Sequence, residues 1–324
     1  MNNNSVPNFY VVGAARSATT SLYSVFNQSK DFFVPKIKEP NYFASDLFQD
    51  VNREYWRHMV NVDVDKFLRS TDDEPINFSV ITEEETYREL YKNVAQSQKS
   101  GDFSTTYLYS KVAASRIFQW NSSAKIVIVL RNPVDRLVSH YQLYRRLGRT
   151  DLSLDAFLDR EAALGDAPYG LKYYVFEHGE YAGQVKRYVD IFGASNVKTV
   201  LYENLVSDPA STVAEIFDFL GSSMPASIDF QQAAASAEPR SLFLSSLISR
   251  LNIKPFVHGL VGAKGLDYLR PIFFKEKRDD MLSSGLAVEL AIKYSGDVDE
   301  LEELVGYSLD IWRRSWRERG WLGE

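Results

Sequence analysis

The sequence predicts an α/β fold in which helices cover both faces of a parallel sheet. Three short apolar runs, at Phe9–Gly13, 124–130 and 197–202, are rich in β-branched or aromatic residues and are typical of buried strands. Each run is followed within a few residues by a segment whose apolar side chains recur at helical spacing. Strands that alternate with helices form parallel sheets with a helical layer on either side.

The first two strands each open a strand–loop–helix unit. After the first strand, residues 14–17 form a loop and residues 19–27 predict a helix. After the second strand, Asn132 and Pro133 break the extended run, and residues 134–147 predict a helix with a continuous apolar stripe. Both loops therefore lie where a buried strand ends and a helix begins.

The rest of the chain is mostly helical by pattern. Asp208-Pro209 begins a helix after the third strand, and Gly221 ends it. Residues 83–95 also predict a helix. Near the C-terminus one further helix, expected to pack on the sheet, is indicated by helical spacing of Val298, Leu301, Leu304, Val305, Leu309 and Trp312.

Length and composition favour one large domain over residues 1–324. The chain has 324 residues, of which 45% are hydrophobic and 25% charged, as in ordinary globular proteins. No internal repeat or linker divides it. Residues 46–75 are rich in charged and aromatic residues without clear periodicity, which predicts an insertion or lid over a substrate pocket.

Composition also excludes several functions. The net charge of −6 disfavours a general nucleic-acid binder. The absence of cysteine excludes disulfides, thiol catalysis and cysteine metal sites. No metal site is expected from the scattered His58, His140, His178 and His258. Without a recognisable export signal or membrane span, we expect a cytoplasmic protein.

The loop after the first strand is the first candidate phosphate site. A helix N-terminus offers free backbone N–H groups and a positive dipole end, and Arg16 adds a cation. The ATP-type P-loop would need a second glycine and a lysine where Ala18 and Thr19 stand. The loop therefore predicts a P-loop-like phosphate site without the triphosphate lysine. The alternative is a capped helix start with an incidental arginine.

The stretch after the second strand is the second candidate. Arg131 lies at the carboxyl end of that strand, which is the edge where open α/β sheets bind ligands. Ser139 lies about two turns into the following helix, where it could hold a second phosphate with Arg131. In the alternative, Arg131 pairs with an acidic neighbour and Ser139 is a surface residue.

The two stretches together resemble the sulfotransferases that use 3′-phosphoadenosine 5′-phosphosulfate (PAPS). In that family the first loop binds the 5′-phosphosulfate, and the second stretch binds the 3′-phosphate through its first arginine and its serine. The resemblance implies a 3′-phosphate site at Arg131 and Ser139. It implies a 5′-phosphosulfate site at Arg16, Ser17, Ala18, Thr19, Thr20 and Ser21.

Three further segments resemble the bacterial and heparan-type branch of this family. Residues 38–43 are similar to its Lys-Glu-Pro-x-Phe-Phe stretch, 101–107 to its Gly-Glu-x-Ser-x-x-Tyr, and 202–205 to its Tyr-Glu-Asp-Leu. The resemblance covers residues 8–312. It implies a single sulfotransferase domain with a three-layer, P-loop-like parallel sheet flanked by helices.

The chain departs from the family pattern at several positions. Ala18 replaces a glycine, and a positive φ there would cost roughly 1 kcal/mol. Arg16 replaces the more usual lysine, and Asp102 replaces a glutamate. Arg240 is the nearest match to the glycine-basic loop that completes the 3′-phosphate site, and Tyr202 is a candidate to stack on adenine.

The resemblance implies sulfuryl transfer from PAPS to a hydroxyl or an amine. Glu39 would be the general base and Arg16 would stabilise the leaving phosphate, without a metal. The acceptor is expected to be a small molecule, a lipid, a sugar or a carrier-tethered chain. Alternatives are a small-molecule P-loop kinase and a non-catalytic nucleotide-binding protein.

The assignment of the base also has alternatives. If the family resemblance is set aside, the sequence favours Glu39 as a loop carboxylate paired with Lys36 or Lys38. Asp102 is the second candidate for the base, because its segment is expected near the acceptor. His140 is expected to pack, since adjacent helix residues point apart and Ser139 takes the other direction.

Overall fold

The computed structural model of the chain describes residues 6–48, 64–69, 75–230 and 282–323. These residues form a five-stranded sheet of order β2-β3-β1-β4-β5 in which all neighbouring strands are parallel. The predicted parallel α/β fold is confirmed. The strands are β1 (Phe9–Gly13), β2 (Phe32–Phe33), β3 (Lys99–Asp102), β4 (Lys125–Leu130) and β5 (Val197–Leu201).

The helices connect and cover these strands. In the described residues, the first eight helices are α1 (Thr19–Asn27), α2 (Ser45–Phe48), α3 (Val64–Arg69), α4 (Glu84–Glu89), α5 (Ala113–Trp120), α6 (Pro133–Arg146), α7 (Leu154–Ala163) and α8 (Tyr181–Phe192). After β5 come α9 (Tyr202–Ser207), α10 (Pro209–Phe219), α11 (Ser284–Val305) and α12 (Asp310–Glu318). Short 3₁₀ turns lie at Thr105–Tyr107, Glu177–Gly179 and Ala194–Asn196. Within the described ranges, no helix is both long and apolar enough to cross a bilayer.

Alternate residues of the central strands enter two separate apolar layers. Phe9 and Val11 of β1 face a layer that contains the apolar side chains of α1 and α10. Tyr10 and Val12 face the opposite layer, which contains those of α5, α6, α8 and α11. The period of two along a buried strand thus gives the sheet two apolar faces, each covered by helices.

The sequence located the long elements and missed the short ones. The predicted helix over 83–95 is confirmed only as α4, and Tyr202 begins α9 instead of ending β5. The C-terminal helix predicted from one apolar stripe is two helices, because Gly306 adopts a left-handed conformation (φ 72°) that ends α11. Its first part packs on α8 and α6 and shares their apolar layer with one face of the sheet.

The carboxyl ends of β1, β3 and β4 meet at one edge of the sheet. The loop after β3 is held there, since the Leu108 amide donates to the Val12 carbonyl at 2.8 Å. Gly13 allows this approach: a Cβ on it would lie 2.7 Å from the Cβ of Leu108. The segments that follow the three strands therefore converge on one region.

Candidate active site

The loop between β1 and α1 has the features of an anion site. Arg16 and Ala18 both have positive φ, of 72° and 59°, which turn the backbone into the start of α1. No acidic residue occupies the first turn of α1, and no side chain caps it. The Ser17 hydroxyl is buried and has no hydrogen-bond partner. Free amides and an unpartnered buried hydroxyl together suit a bound phosphate or sulfate oxygen.

Arg131 joins the second predicted stretch to this loop. Its Nη1 donates to the carbonyl oxygen of Arg16 at 2.8 Å. Arg16 in turn donates from Nε to the Ser139 hydroxyl at 3.2 Å. The alternative for Ser139, a surface residue, is wrong, because its side chain is only 3% exposed. Arg16, Arg131 and Ser139, which lie far apart in the sequence, are therefore in direct contact.

Tyr202 lies beside the same arginine. The Arg131 guanidinium carbon is 4.3 Å from the centre of the Tyr202 ring, within the range of a cation–π contact. The ring is half-buried at the start of α9. Glu203 accepts from the Asn132 amide at 2.9 Å and ties α9 to the residue after Arg131. Burial raises the pKa of the Glu203 carboxyl.

Glu39 lies in the loop after β2, with both carboxylate oxygens engaged. Oε1 pairs with the Lys38 ammonium at 2.5 Å, and Oε2 accepts from the Thr105 hydroxyl at 2.9 Å. Lys38 is almost fully buried, whereas the Glu39 side chain is 14% exposed. This ion pair with Lys38 is also what the sequence predicts if Glu39 is only a paired loop carboxylate and not a base. The Glu39 side chain nevertheless stays partly exposed.

The backbone around Glu39 is fixed by the segment after β3. Asn41 donates its side-chain amide to the Glu39 carbonyl at 2.8 Å and accepts from the Thr106 hydroxyl at 2.6 Å. Its backbone amide donates to Ser104 Oγ at 3.0 Å. The resemblance pointed to the 101–107 segment, but not to Thr105 as the partner of Glu39. That contact depends on tertiary packing, which no local pattern reports.

Asp102 is a fully enclosed carboxylate. Oδ1 accepts from the Ser104 hydroxyl at 2.7 Å and from its amide at 3.0 Å. Oδ2 accepts from the Tyr87 hydroxyl at 2.7 Å and the Tyr107 hydroxyl at 2.9 Å. Burial raises the pKa of Asp102 to about 6, although these hydrogen bonds oppose the shift. Because Asp102 accepts four hydrogen bonds and has no exposed surface, it holds Ser104 in place and is not open to an acceptor.

Two histidines form a neutral cluster behind the loop. His140 Nδ1 lies 3.0 Å from Nη1 of Arg136, and its ring stacks on Tyr144 at 4.8 Å. Burial, with Arg136 and Arg16 nearby, holds the pKa of His140 well below its usual range. Burial and Arg136 lower the pKa of His178 to about 3. The prediction that His140 packs is confirmed by its 5% exposure.

The remaining predicted site residues lie in the same loop or outside the described ranges. Thr19, Thr20 and Ser21 form the first turn of α1. Arg240 lies outside the described residues, as do 49–63 and 70–74 of the predicted insertion. Among the residues that the structure describes, no group of acidic or histidine side chains could hold a metal ion.

The fold is a parallel α/β sheet, with an unpartnered buried hydroxyl and an uncapped helix start after β1 and a buried arginine after β4. Comparison with known families specifies the class further. The model of the sulfotransferase domain family matches residues 7–237, and the chain belongs to this family.

Individual relatives agree with this family. The chain is 30% identical over 135 residues to human heparan sulfate glucosamine 3-O-sulfotransferase 6, and 28% identical over 137 residues to mouse heparan sulfate glucosamine 3-O-sulfotransferase 3A1. Each match covers 42% of this chain but only 39% and 34% of the respective relative. A crystal structure of a sulfotransferase from Alicyclobacillus acidocaldarius is 28% identical, with a TM-score of 0.69 over 95% of this chain and 99% of that one.

Proposed function

We propose that the chain transfers a sulfuryl group from PAPS to a hydroxyl or an amine of an acceptor. The observation that carries this proposal is the contact of Arg131 with the Arg16 carbonyl and of Arg16 with Ser139. These contacts bring the two predicted phosphate-binding stretches to one sheet edge, as a nucleotide with phosphates at both its 3′ and 5′ positions requires. Membership in the sulfotransferase family supports the same donor.

The residues present fit a PAPS donor. The backbone amides at the start of α1 and the unpartnered Ser17 hydroxyl would bind its 5′-phosphosulfate. Arg131 and Ser139 would bind its 3′-phosphate, and Tyr202 would stack on the adenine. Arg240 remains a proposed further contact of the 3′-phosphate. A bound donor would supply the sulfuryl group, and no described residue offers a metal site.

Arg16 and Glu39 would act on opposite ends of the transfer. The sulfur–oxygen bond to the leaving phosphate breaks while a bond forms between sulfur and the acceptor oxygen. Arg16 offers a fixed positive charge for the negative charge that grows on the phosphate. Glu39 accepts the proton of the acceptor hydroxyl, and Thr105 and Lys38 hold its carboxylate in one orientation.

The alternatives have less support. A kinase would use a lysine for the terminal phosphates, and Thr19 stands at that position. A non-catalytic relative would have no need of the complete set formed by Arg16, Glu39, Arg131 and Ser139. The exposed side of Glu39 further distinguishes it from Asp102, whose carboxylate is fully enclosed.

Glu39→Gln tests the assignment of the base. The substitution keeps the size and hydrogen bonding of the side chain but removes the proton acceptor. We expect turnover with PAPS to fall by roughly 10²–10⁴-fold, the usual contribution of a general base, while affinity for adenosine 3′,5′-bisphosphate stays unchanged. Radiolabelled sulfuryl transfer and calorimetry measure the two quantities.

A matched control and a chelator arm complete this experiment. Glu89→Gln makes the same change at an exposed carboxylate on α4 and should leave turnover unchanged. Wild-type turnover should also survive excess chelator. Near wild-type turnover of Glu39→Gln would remove Glu39 from the mechanism. Absence of sulfuryl transfer from PAPS, together with phosphoryl transfer from ATP that requires Mg²⁺, would favour the kinase.

A further inference from the structure

Both polar groups of the peptide bond between Arg131 and Asn132 are held by side chains. The Arg131 carbonyl accepts from the Tyr181 hydroxyl at 3.0 Å, and the Asn132 amide donates to Glu203 Oε1 at 2.9 Å. This peptide lies just beyond β4, which ends at Leu130. Hydrogen bonds at both its carbonyl and its amide restrict rotation of the peptide plane. The Arg131 side chain therefore leaves the sheet edge in a fixed direction.

Tyr181 is fixed in turn by α11. It is the first residue of α8, and the residue before it, Glu180, gives the helix no side-chain cap. The cap comes instead from Asp297 of α11, whose Oδ2 accepts from the Tyr181 amide at 2.6 Å and whose Oδ1 accepts from the Ala182 amide at 3.0 Å. A carboxylate that accepts two amides at a helix start makes charge-assisted hydrogen bonds and complements the helix dipole. Asp297 therefore fixes the backbone that carries the Tyr181 ring.

The Tyr181 ring connects this cap to the arginine. The side chain is fully buried, and its ring packs against that of Trp312 on α12, with 6.1 Å between the ring centres. Two helices beyond the range of the family model thus contact the tyrosine, one at its backbone and one at its ring. Direct contacts therefore run from Asp297 through Tyr181 to the Arg131 carbonyl.

The direction of Arg131 matters because its guanidinium makes several directional contacts. Nη1 donates to the Arg16 carbonyl at 2.8 Å, and the guanidinium carbon lies 4.3 Å from the centre of the Tyr202 ring. The proposed function adds the 3′-phosphate of the donor to these contacts. A charged hydrogen bond weakens steeply as its distance and angle depart from the optimum. Release of the Arg131 carbonyl should therefore lower affinity for that phosphate.

We propose that Tyr181 and Asp297 are positioning residues of the 3′-phosphate site. Tyr181 holds the Arg131 carbonyl and Asp297 holds Tyr181, so both act on the phosphate through the arginine. The inference rests on the proposed function, which assigns the 3′-phosphate to Arg131. Affinity for that phosphate then depends on α11, which lies outside residues 7–237 of the family match.

Tyr181→Phe tests the inference on the full chain, because it removes only the hydroxyl. We expect affinity for adenosine 3′,5′-bisphosphate to fall about tenfold, the effect of one buried hydrogen bond, while affinity for AMP stays unchanged. AMP lacks the 3′-phosphate, so a variant that is merely less stable would not separate the two ligands. Calorimetry measures both affinities. Equal changes for the two ligands, or no change for either, would overturn the inference.

Tyr188→Phe is the matched control on the same helix. Tyr188 is also fully buried, and its hydroxyl donates to a backbone carbonyl, that of Tyr107, at 2.8 Å. The two variants should lose similar stability in urea, but only Tyr181→Phe should weaken binding of the bisphosphate. The same weakening in Tyr188→Phe would mean that packing of α8, and not the contact with Arg131, sets the affinity, which contradicts the inference.

Variants of Asp297 test the second contact. Asp297→Ala removes both accepted hydrogen bonds and should weaken the bisphosphate about tenfold, with AMP binding unchanged. Asp297→Asn keeps one acceptor oxygen and should recover part of that affinity. Asp190→Asn, the same change at an exposed carboxylate of α8, should bind both ligands like the wild type. Wild-type affinity in Asp297→Ala would rule out a positioning role for Asp297.

A double substitution tests whether Tyr181 acts through Arg131. In Arg131→Ala the side chain that the tyrosine positions is gone, so the addition of Tyr181→Phe should cause no further loss of bisphosphate affinity. A further loss as large as in the wild-type background would mean that Tyr181 affects the phosphate by another route. That result would contradict the inference.

The wild-type chain separates failure of this inference from failure of the proposed function. If it binds the bisphosphate more tightly than AMP while Tyr181→Phe loses no affinity, the positioning inference is wrong and the donor site stands. If it binds the two ligands equally, the 3′-phosphate site itself fails, and the inference fails with it.

Discussion

At the residue scale, Ala18 has the strained backbone conformation that we predicted because alanine stands where the family usually has glycine. Its φ of 59° and ψ of 22° lie in the left-handed region, where a Cβ costs roughly 1 kcal/mol. Ala18→Gly should therefore raise the free energy of unfolding by about 0.5–1 kcal/mol, measured by urea denaturation. Ala162→Gly, inside α7, should lower it by about 1 kcal/mol. A loss of stability in Ala18→Gly would contradict the strain.

The enclosed carboxylate of Asp102 predicts a pH dependence of stability. Burial raises its pKa in the folded chain to about 6, above the ordinary aspartate value of about 3.9. The folded state therefore disfavours ionisation, so this contribution to stability is complete below pH 4 and is lost as the pH rises through 6. Two pKa units correspond to about 3 kcal/mol.

Asp102→Asn isolates this contribution, because the amide does not titrate. We expect wild-type stability to fall by about 3 kcal/mol relative to the variant between pH 4 and pH 7, since other groups cancel in the comparison. Urea denaturation across this range measures the difference. A difference that does not change with pH would mean that Asp102 ionises as readily in the folded chain as in the unfolded one.

Site residues could be predicted from sequence only where they lie in local motifs. Arg16, Arg131 and Ser139 stand at fixed positions relative to strand ends, and the structure brings them together. Their roles toward a donor remain a proposal. The contact of Thr105 with Glu39 had no such signal, because it depends on two loops that meet only in the folded chain.

At the scale of elements, α12 supports the junction between β4 and α6. The Trp316 indole donates to Asn132 Oδ1 at 3.0 Å, and the same oxygen caps α6 by accepting from the Val134 amide at 3.1 Å. Asn132 directly follows Arg131. The C-terminal helices lie beyond the residues that the family model matches, yet they pack on the predicted 3′-phosphate stretch.

Trp316→Phe tests this support. The variant keeps most of the buried ring but loses the N–H donor, so it should lower the free energy of unfolding by about 1–3 kcal/mol. Ile311→Val, at an exposed position of α12, should change it by less than about 0.5 kcal/mol. Guanidinium denaturation of both variants gives the comparison. Equal stabilities would mean that α12 does not secure the junction.

The length and apolar pattern of a strand determine whether it could be predicted from the sequence. The run Lys125–Leu130 is apolar after its lysine and buried on both faces, so it reads as a central strand. By contrast, β2 has two residues, and β3 reads Lys-Ser-Gly-Asp, without an apolar pattern. β3 forms because it pairs with β1, and β2 forms because it pairs with β3, which is a tertiary effect.

At the scale of the whole molecule, the parallel sheet gathers the functional segments at one edge. The loops after β1, β2, β3 and β4 supply Arg16, Glu39, Thr105 and Arg131 respectively. Parallel strands all point their carboxyl ends the same way, and open α/β sheets bind ligands at that edge, so these four residues lie on the side of the sheet where the sequence predicts the site. The single domain over 1–324 and the cytoplasmic location stay predictions, as does the lid over residues 46–75.

The central claim is that one chain binds a nucleotide through two separate phosphate sites. Calorimetry with adenosine 3′,5′-bisphosphate and with AMP, on wild type and Arg131→Ala, tests it directly, with Arg88→Ala as an exposed control. Loss of a charged hydrogen-bonded contact costs about 2–3 kcal/mol, so the bisphosphate should bind Arg131→Ala roughly 30–150-fold more weakly, while AMP binding changes little. Equal losses for the two ligands would contradict the account.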